Sequence, residues 1–237
     1  MPDVVYEDNH LLVVEKPPNL LAQGDVTGDD CLLEQMKRYV AEKYQKPGAV
    51  YLGLVHRMDR PVGGLMVLAR TGKAAARLSE QLRAHAMERE YLAVVHGADM
   101  PERGTLRDFL QKDAGGGNVR VVSSDTPNAQ EAVLHFAVLA RNTQKDTALV
   151  HIRLQTGRKH QIRVQLAHQG HPIVQDMRYG RDKPGESIAL WGAVLRFTHP
   201  TQKEPMVFVN RPKGKAYLPF ESSVDAFLTQ TAQGGTL

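Results

Sequence analysis

Cysteine is all but missing from this chain: one residue, Cys31, among 237. A lone thiol cannot close an intramolecular disulfide, which fits a reducing cytoplasm. No apolar run reaches the length of a membrane span. The N-terminus has no basic segment followed by an apolar core, so no signal peptide is visible. A cytoplasmic protein that does not enter membranes is expected. Also missing are His-Glu-x-x-His, paired cysteines, a Gly-x-Gly-x-x-Gly behind a strand and a Gly-x-x-x-x-Gly-Lys loop. His168 and His171 come nearest to a metal pair. They flank a turn at Gly170 with no further ligand in view, so neither a metal nor an organic cofactor is expected. No repeat and no low-complexity segment interrupts the chain.

The chain has 42% hydrophobic residues, enough for one large domain or two closely packed lobes. The net charge is +4 and the sequence pI is about 9.2, but the charge is unevenly placed. The first thirty residues hold seven carboxylates (Asp3, Glu7, Asp8, Glu15, Asp25, Asp29, Asp30) against one Lys16. Basic residues gather at Arg57/Arg60, from Arg70 to Arg89, from Arg153 to Arg163 and from Arg211 to Lys215. Such a distribution serves a surface that tracks phosphates, or it is solvated charge without a partner.

Short apolar runs bounded by turn residues predict strands at 4–6, 11–14, 51–55, 65–69, 90–96, 132–139, 148–154, 194–197 and 206–209. Helices are predicted over 31–45, capped by Asp29 or Asp30 with Leu32, Leu33, Met36, Tyr39 and Val40 on one face, and from a Thr71 cap to about 86. A third runs over 158–168, closed by Gly170 and Pro172. Residues 98–130 carry little pattern and include a flexible Gly115–Gly117 loop. The residues after Phe220 are expected to fray. Strands joined mostly by tight turns, with a few inserted helices, make an α+β fold with a mixed, mainly antiparallel sheet.

The most informative segment is 55–70, VHRMDRPVGGLMVLAR. Asp59 lies between Arg57 and Arg60, apolar stretches flank the group, and Pro61 with Gly63-Gly64 is read as the turn. A carboxylate beside arginines stays ionised at neutral pH and can act as nucleophile or base. The same residues would also suit an ordinary charged hairpin tip. A second segment, 149–163, reads LVHIRLQTGRKHQIR and continues VQLAHQGHPIVQDMRYG to Gly180.

Taken together, these segments resemble the RluA-type RNA pseudouridine synthases, with their His-Arg-Leu-Asp loop, Thr-Gly-Arg-x-His-Gln-Ile-Arg string, Gly-His-Pro-Ile and Gly-Asp…Tyr-Gly. The opening 7–18, EDNHLLVVEKPP, looks like the family's first strand and Lys-Pro element, and 90–97, EYLAVVHG, like its tyrosine strand. The likeness runs in order from about Val4 to Pro219. It implies two half-domains with the active-site cleft between them, in a catalytic domain over 1–220 followed by a tail over 221–237. The small RNA-binding domain that often precedes this fold is expected to be absent.

The implied reaction detaches uracil from the ribose at nitrogen 1 and rejoins it at carbon 5, without metal or organic cofactor. The implied partner is structured rRNA or tRNA, and the implied state a monomer. Asp59 matches the catalytic aspartate, and Arg163 the arginine that pairs with it across the cleft; otherwise Arg163 is a helix-surface arginine. Tyr91 matches the active-site tyrosine, whose ring can stack on uracil and whose hydroxyl can help remove the carbon 5 proton; otherwise it is an ordinary strand tyrosine. Arg57 matches the arginine that fills the RNA stack when the target base is flipped out; otherwise it is a local partner of Asp59. Arg60, Arg158, Lys159 and His160 complete the RNA-binding set.

Several positions depart from the family pattern. Met58 replaces Leu, which conserves volume. Val62 and Gly63 replace hydroxyl residues that can brace the loop. Glu15 stands where Asn is common, and Asn19 and Gln175 where Gly is usual. Two rivals remain: a catalytically silent RNA-binding module on the same fold, and a hydrolase of nucleosides or other glycosides. Asp59, Tyr91 and Arg163 together argue against the first. The lack of a clear second carboxylate argues against the second.

Overall fold

The computed structural model describes residues 1–113, 115 and 117–235. The chain divides into two compact units, Met1–Arg89 with Gly192–Asn210, and Glu90–Trp191 with Arg211–Leu237. The architecture is the expected α+β one, with a mostly antiparallel sheet and few helices. No helix among the described residues is long and apolar enough to cross a membrane.

In the first unit, β1 (Asp3–Glu7), β2 (Leu11–Lys16), β4 (Gly63–Ala69) and β10 (Leu190–Thr198) lie side by side in that order. β3 (Gly53–Leu54) pairs with β4, and β11 (Pro205–Val209) with β10. Every residue of β2 and β4 is buried, so both strands are covered on both faces. Leu11, Val13, Leu65, Val67 and Phe197 pack with Ala74 and Leu78 of α2 (Gly72–Arg83) in one core cluster. The Thr71 hydroxyl accepts from the Ala74 amide at 3.1 Å, the cap read from the sequence.

The first helix, α1 (Leu32–Lys43), buries Leu32, Met36 and Val40 but begins differently from expectation. Its N-cap is Cys31, without a side-chain cap. The amides of Leu32 and Leu33 instead donate to the carbonyls of Leu21 (2.8 Å) and Ala22 (3.2 Å), so backbone satisfies what Asp29 or Asp30 was expected to cap. Asp30 sits one residue early and accepts from the Cys31 amide.

The Gly63-Gly64 pair is not the turn. The turn lies at Arg60-Pro61, closed by the Val62 amide donating to the Asp59 carbonyl at 3.1 Å, and both glycines belong to β4. Gly64 has φ +126°, and a Cβ there would collide with the Gly192 backbone. This glycine permits the close approach of β4 and β10.

In the second unit the order is β5 (Glu88–His96), β9 (Thr147–Leu154), β8 (Gln130–Asn142), β6 (Arg103–Lys112) and β7 (Val119–Val122), each neighbour antiparallel. Strands β6 and β7 occupy the stretch where the sequence shows little pattern. β6 reads RGTLRDFLQK and buries only Leu110, so its own pattern is weak and its place is set by the ladder to β8. The Asp113 amide donates to the Asn118 carbonyl across the glycine loop, of which Gly116 lies outside the described residues. α3 (Gln161–His168) ends at Gly170, whose φ is +87°.

The tail does not fray as expected. After a 3-10 turn at Lys215–Phe220, α4 (Glu221–Ala232) buries Val224, Phe227 and Thr231, and the Phe227 ring lies 4.8 Å from that of His151. The polar string at the very end hid an apolar stripe three and four residues apart. Thr236 and Leu237 lie outside the described residues.

Candidate active site

The Asp59 loop alternates. His56 and Met58 are buried, Arg57 and Arg60 are exposed, and Asp59 is half-buried between them. Below it lies Lys16, fully buried at the end of β2. Its ammonium has three protons and three acceptors: the carbonyls of Pro17 (3.1 Å), Leu20 (2.7 Å) and Arg60 (3.1 Å). The Arg60 carbonyl belongs to the Asp59 loop, so Lys16 pins that loop to the Lys-Pro segment. Bracing by the buried ammonium stands where hydroxyls at positions 62 and 63 were expected to act. Burial pushes Lys16 down to about 7, and the negative charge of Asp59 pulls it back up.

Arg60 turns to local partners, with Nε donating to the Asn19 carbonyl at 3.2 Å and an ion pair to Asp29 at 2.7 Å. Asn19 has φ +65°, and Gln175 in the second unit has φ +61°. Both are positions where glycine was expected, and the left-handed backbone explains that preference.

Beneath the loop, His56 Nε2 accepts from the Val67 amide at 3.2 Å. Burial, and next the Arg89 charge, push His56 down to about 3, so it is neutral. An unfolded chain takes up this proton near pH 6.5, while the folded chain refuses it until about 3. The unfolded state therefore binds more protons in that window, and stability is lost as pH falls through it. Each tenfold difference in proton affinity between the two states is worth about 1.4 kcal/mol, so the expected loss is a few kcal/mol. Urea unfolding at pH 7 and pH 4 should show a smaller acid loss for His56→Gln than for the unaltered protein. Equal losses would contradict it.

The motif 156–163 in the second unit can be read residue by residue. The Thr156 hydroxyl accepts from the Val133 amide and donates to Gln161 Oε1, both at 2.8 Å. Gln161 Oε1 also accepts from the Arg158 amide at 2.9 Å, which closes the turn before α3. Arg158, exposed, donates from Nε to the Glu131 carbonyl. Lys159 is exposed. His160 takes the left-handed conformation at the helix N-cap, and its Nδ1 lies 2.7 Å from the Tyr179 hydroxyl. That hydroxyl also accepts from the Val119 amide.

Arg163 is 5% exposed and forms a two-pronged pair with Asp176, Nε to Oδ2 at 2.8 Å and a terminal nitrogen to Oδ1 at 2.7 Å. Its guanidinium lies 5.3 Å from the centre of the Tyr179 ring. Asp176 is fully buried and also accepts from the amides of Arg178 and Tyr179. Burial alone would raise its carboxyl; the Arg163 fork and the two amides outweigh this and hold it below the usual range. Asp176 and Tyr179 fix Arg163, a role that sequence reasoning missed. The signal was present in the Asp176…Tyr179-Gly180 spacing. Tyr91 lies on β5, 6% exposed.

Asp59, Arg57 and Arg60 thus belong to the first unit, and Tyr91, Arg158, Lys159, His160 and Arg163 to the second. Within the second, Tyr179 gathers Arg163 and His160.

Residues 10–168 match the model of the family described as RNA pseudouridylate synthase. The chain is 34% identical over 207 residues to the uncharacterized RNA pseudouridine synthase YhcT of Bacillus subtilis, covering 86% of this chain and 67% of that protein. It is 35% identical over 214 residues to ribosomal large subunit pseudouridine synthase D of Yersinia pestis, covering 84% and 63%. Among solved structures, human RNA Pseudouridylate Synthase Domain Containing 4 superposes with a TM-score of 0.73 at 23% identity, over 94% of this chain and 91% of that one. The pinned Asp59 loop and Arg163 both fall within the matched residues 10–168, and the chain belongs to the RNA pseudouridylate synthase family, of the RluA type.

Proposed function

We propose that this enzyme isomerises specific uridines in structured rRNA or tRNA, with Asp59 as its catalytic carboxylate. The observation that carries the reading is the Asp59 loop itself: a half-buried carboxylate between two exposed arginines, pinned from below by the saturated ammonium of Lys16. Asp59 attacks the ribose anomeric carbon or assists departure of the uracil, which leaves as an anion and returns through carbon 5. Arg163 pairs with the carboxylate and holds it in place. Tyr91 stacks on the base, and its hydroxyl assists loss of the carbon 5 proton. Arg57, exposed beside Asp59, fills the gap in the RNA stack when the uridine is extruded. Several relatives carry the name ribosomal large subunit pseudouridine synthase, so large-subunit rRNA is the first substrate to test. The test is pseudouridine mapping across total RNA from cells with and without the protein. Loss of no site in rRNA or tRNA would overturn the reading.

Binding to such RNA is expected to rest on phosphate contacts from the basic segments, Arg60, Arg158, Lys159 and His160 among them. Each neutralised phosphate contributes about −0.7 to −0.9 to the slope of log affinity against log salt. Titrations of a substrate RNA at several salt concentrations should give a steep line, shallower by about one contact for Lys159→Ala. A flat line would point to a small-molecule substrate.

A further inference from the structure

The second unit contains a cavity of about 390 Å³ that the proposed chemistry does not use. Val94 lines it, and on β5 Val94 is three residues from Tyr91. Side chains alternate along a strand and β5 pairs with β9 without a bulge, so the cavity opens on the sheet face opposite Tyr91. The 3-10 turn closes that face, with the Tyr217 hydroxyl donating to the Leu92 carbonyl at 3.0 Å.

The chemistry of the lining is specific. Its floor is apolar and aromatic, from Val94, Ala189 and Tyr217. Three lysines line it, Lys145, Lys213 and Lys215, against one carboxylate, Glu186, which pairs with Lys215 at 2.7 Å. Gln175 lines it as well. Its backbone is held in the left-handed region, with the amide donating to Asp182 at 2.6 Å. Its side-chain oxygen Oε1 is buried with no hydrogen-bond partner. Gly185 packs against it: a Cβ there would lie 2.7 Å from that oxygen. Glycine would sit at position 175 without strain, yet this chain places there a side chain whose acceptor is left unmet.

The geometry points to a nucleotide-binding site in this cavity. The base lies on the apolar floor and donates an N–H to Gln175 Oε1 once that side chain turns from its buried resting position into the cavity, and the phosphate meets the lysines. A volume of this size falls within the range of small-ligand pockets. All four nucleobases carry an N–H donor. The nucleotide is either free in solution or an unpaired nucleotide of the substrate RNA. The second source alone rests on the proposed function.

The test is amide-resolved NMR titration of the full chain with AMP, CMP, GMP, UMP and ribose 5-phosphate. At least one nucleotide should bind at about 1 mM or tighter, shifting the amides of Gly185, Ser187 and Gly214. Lys213→Ala/Lys215→Ala should weaken it by about tenfold or more. Gln175→Gly should weaken the nucleotide about five- to tenfold, leave ribose 5-phosphate unaffected, and leave the Tm unchanged or higher. Substrate RNA that displaces the nucleotide identifies the RNA as source; RNA that binds without displacing it identifies the free nucleotide. Shifts confined to amides around Tyr91 and Asp59, no binding by any nucleotide, or binding indifferent to all three substitutions would overturn the proposal. Because the readout is binding, its failure leaves the pseudouridine assignment standing, and the reverse holds too.

Discussion

Asp59→Asn is expected to abolish pseudouridine formation, lowering turnover by about 10⁴-fold or more, with the fold and RNA affinity close to unchanged. Asparagine keeps the shape of aspartate but offers neither an anionic nucleophile nor a base. The loop should hold because its anchors lie elsewhere: the Lys16 ammonium grips the Arg60 carbonyl, Val62 closes the turn onto the backbone of residue 59, and Met58 and Val62 are buried. One change within the fold is expected. The charge of Asp59 opposes the burial that pushes Lys16 down. Removing it should lower Lys16 further, which NMR of the lysine side chain can follow. Turnover is measured on an RNA whose modified uridine has first been mapped. Near-normal turnover by the variant would sink the assignment of Asp59. A variant that fails to bind RNA would mean the loop shapes the surface rather than the chemistry.

The parts legible in the sequence were those with a local signature. β2, β4 and β9 are apolar runs of strand length between turns, and Thr71 caps α2 by its own hydroxyl, so periodicity and capping rules reach them. The arginine-flanked carboxylate and the 156–163 string were legible for the same reason, since each is a contiguous cluster. What escaped depends on partners distant in sequence. β6 is specified by its ladder to β8 more than by its own residues. The start of α1 is capped by the carbonyls of Leu21 and Ala22, and no residue type announces a carbonyl. Gly64 looked like a turn glycine, and only the neighbouring Gly192 backbone shows it to be a contact glycine. Lys16 was visible merely as part of a Lys-Pro pair; its saturation by three carbonyls required the folded loop. Asp176 is the same case in the second unit, thirteen residues from the arginine it holds.

Asp176→Asn should therefore damage both stability and turnover, in ways that can be separated. The carboxylate is fully buried and accepts from four donors: two nitrogens of Arg163 and the amides of Arg178 and Tyr179. Asparagine turns one acceptor into a donor: in place of Oδ2 it opposes the Nε prong of the fork, and in place of Oδ1 it opposes the other prong and both amides. The Arg163 charge then stays buried with half its support. Breaking a buried pair from one side costs about 3–5 kcal/mol, a large part of a typical net stability of about 5–15 kcal/mol. Denaturant unfolding should show that loss with the chain still folded in buffer. Turnover should fall about a hundredfold, the cost of displacing a positioned group by roughly 1 Å, because Arg163 in its proposed role holds the catalytic carboxylate in place. KM for RNA should change little, since the pair is buried away from the phosphates.

Arg163→Lys supplies the second leg of a cycle, since an ammonium cannot reproduce the fork. If Asp176 acts by fixing Arg163, the double variant should lose little more turnover than the worse single one. Losses that simply multiply would show two independent contributions, and Asp176 would then be a structural carboxylate with no part in positioning the arginine.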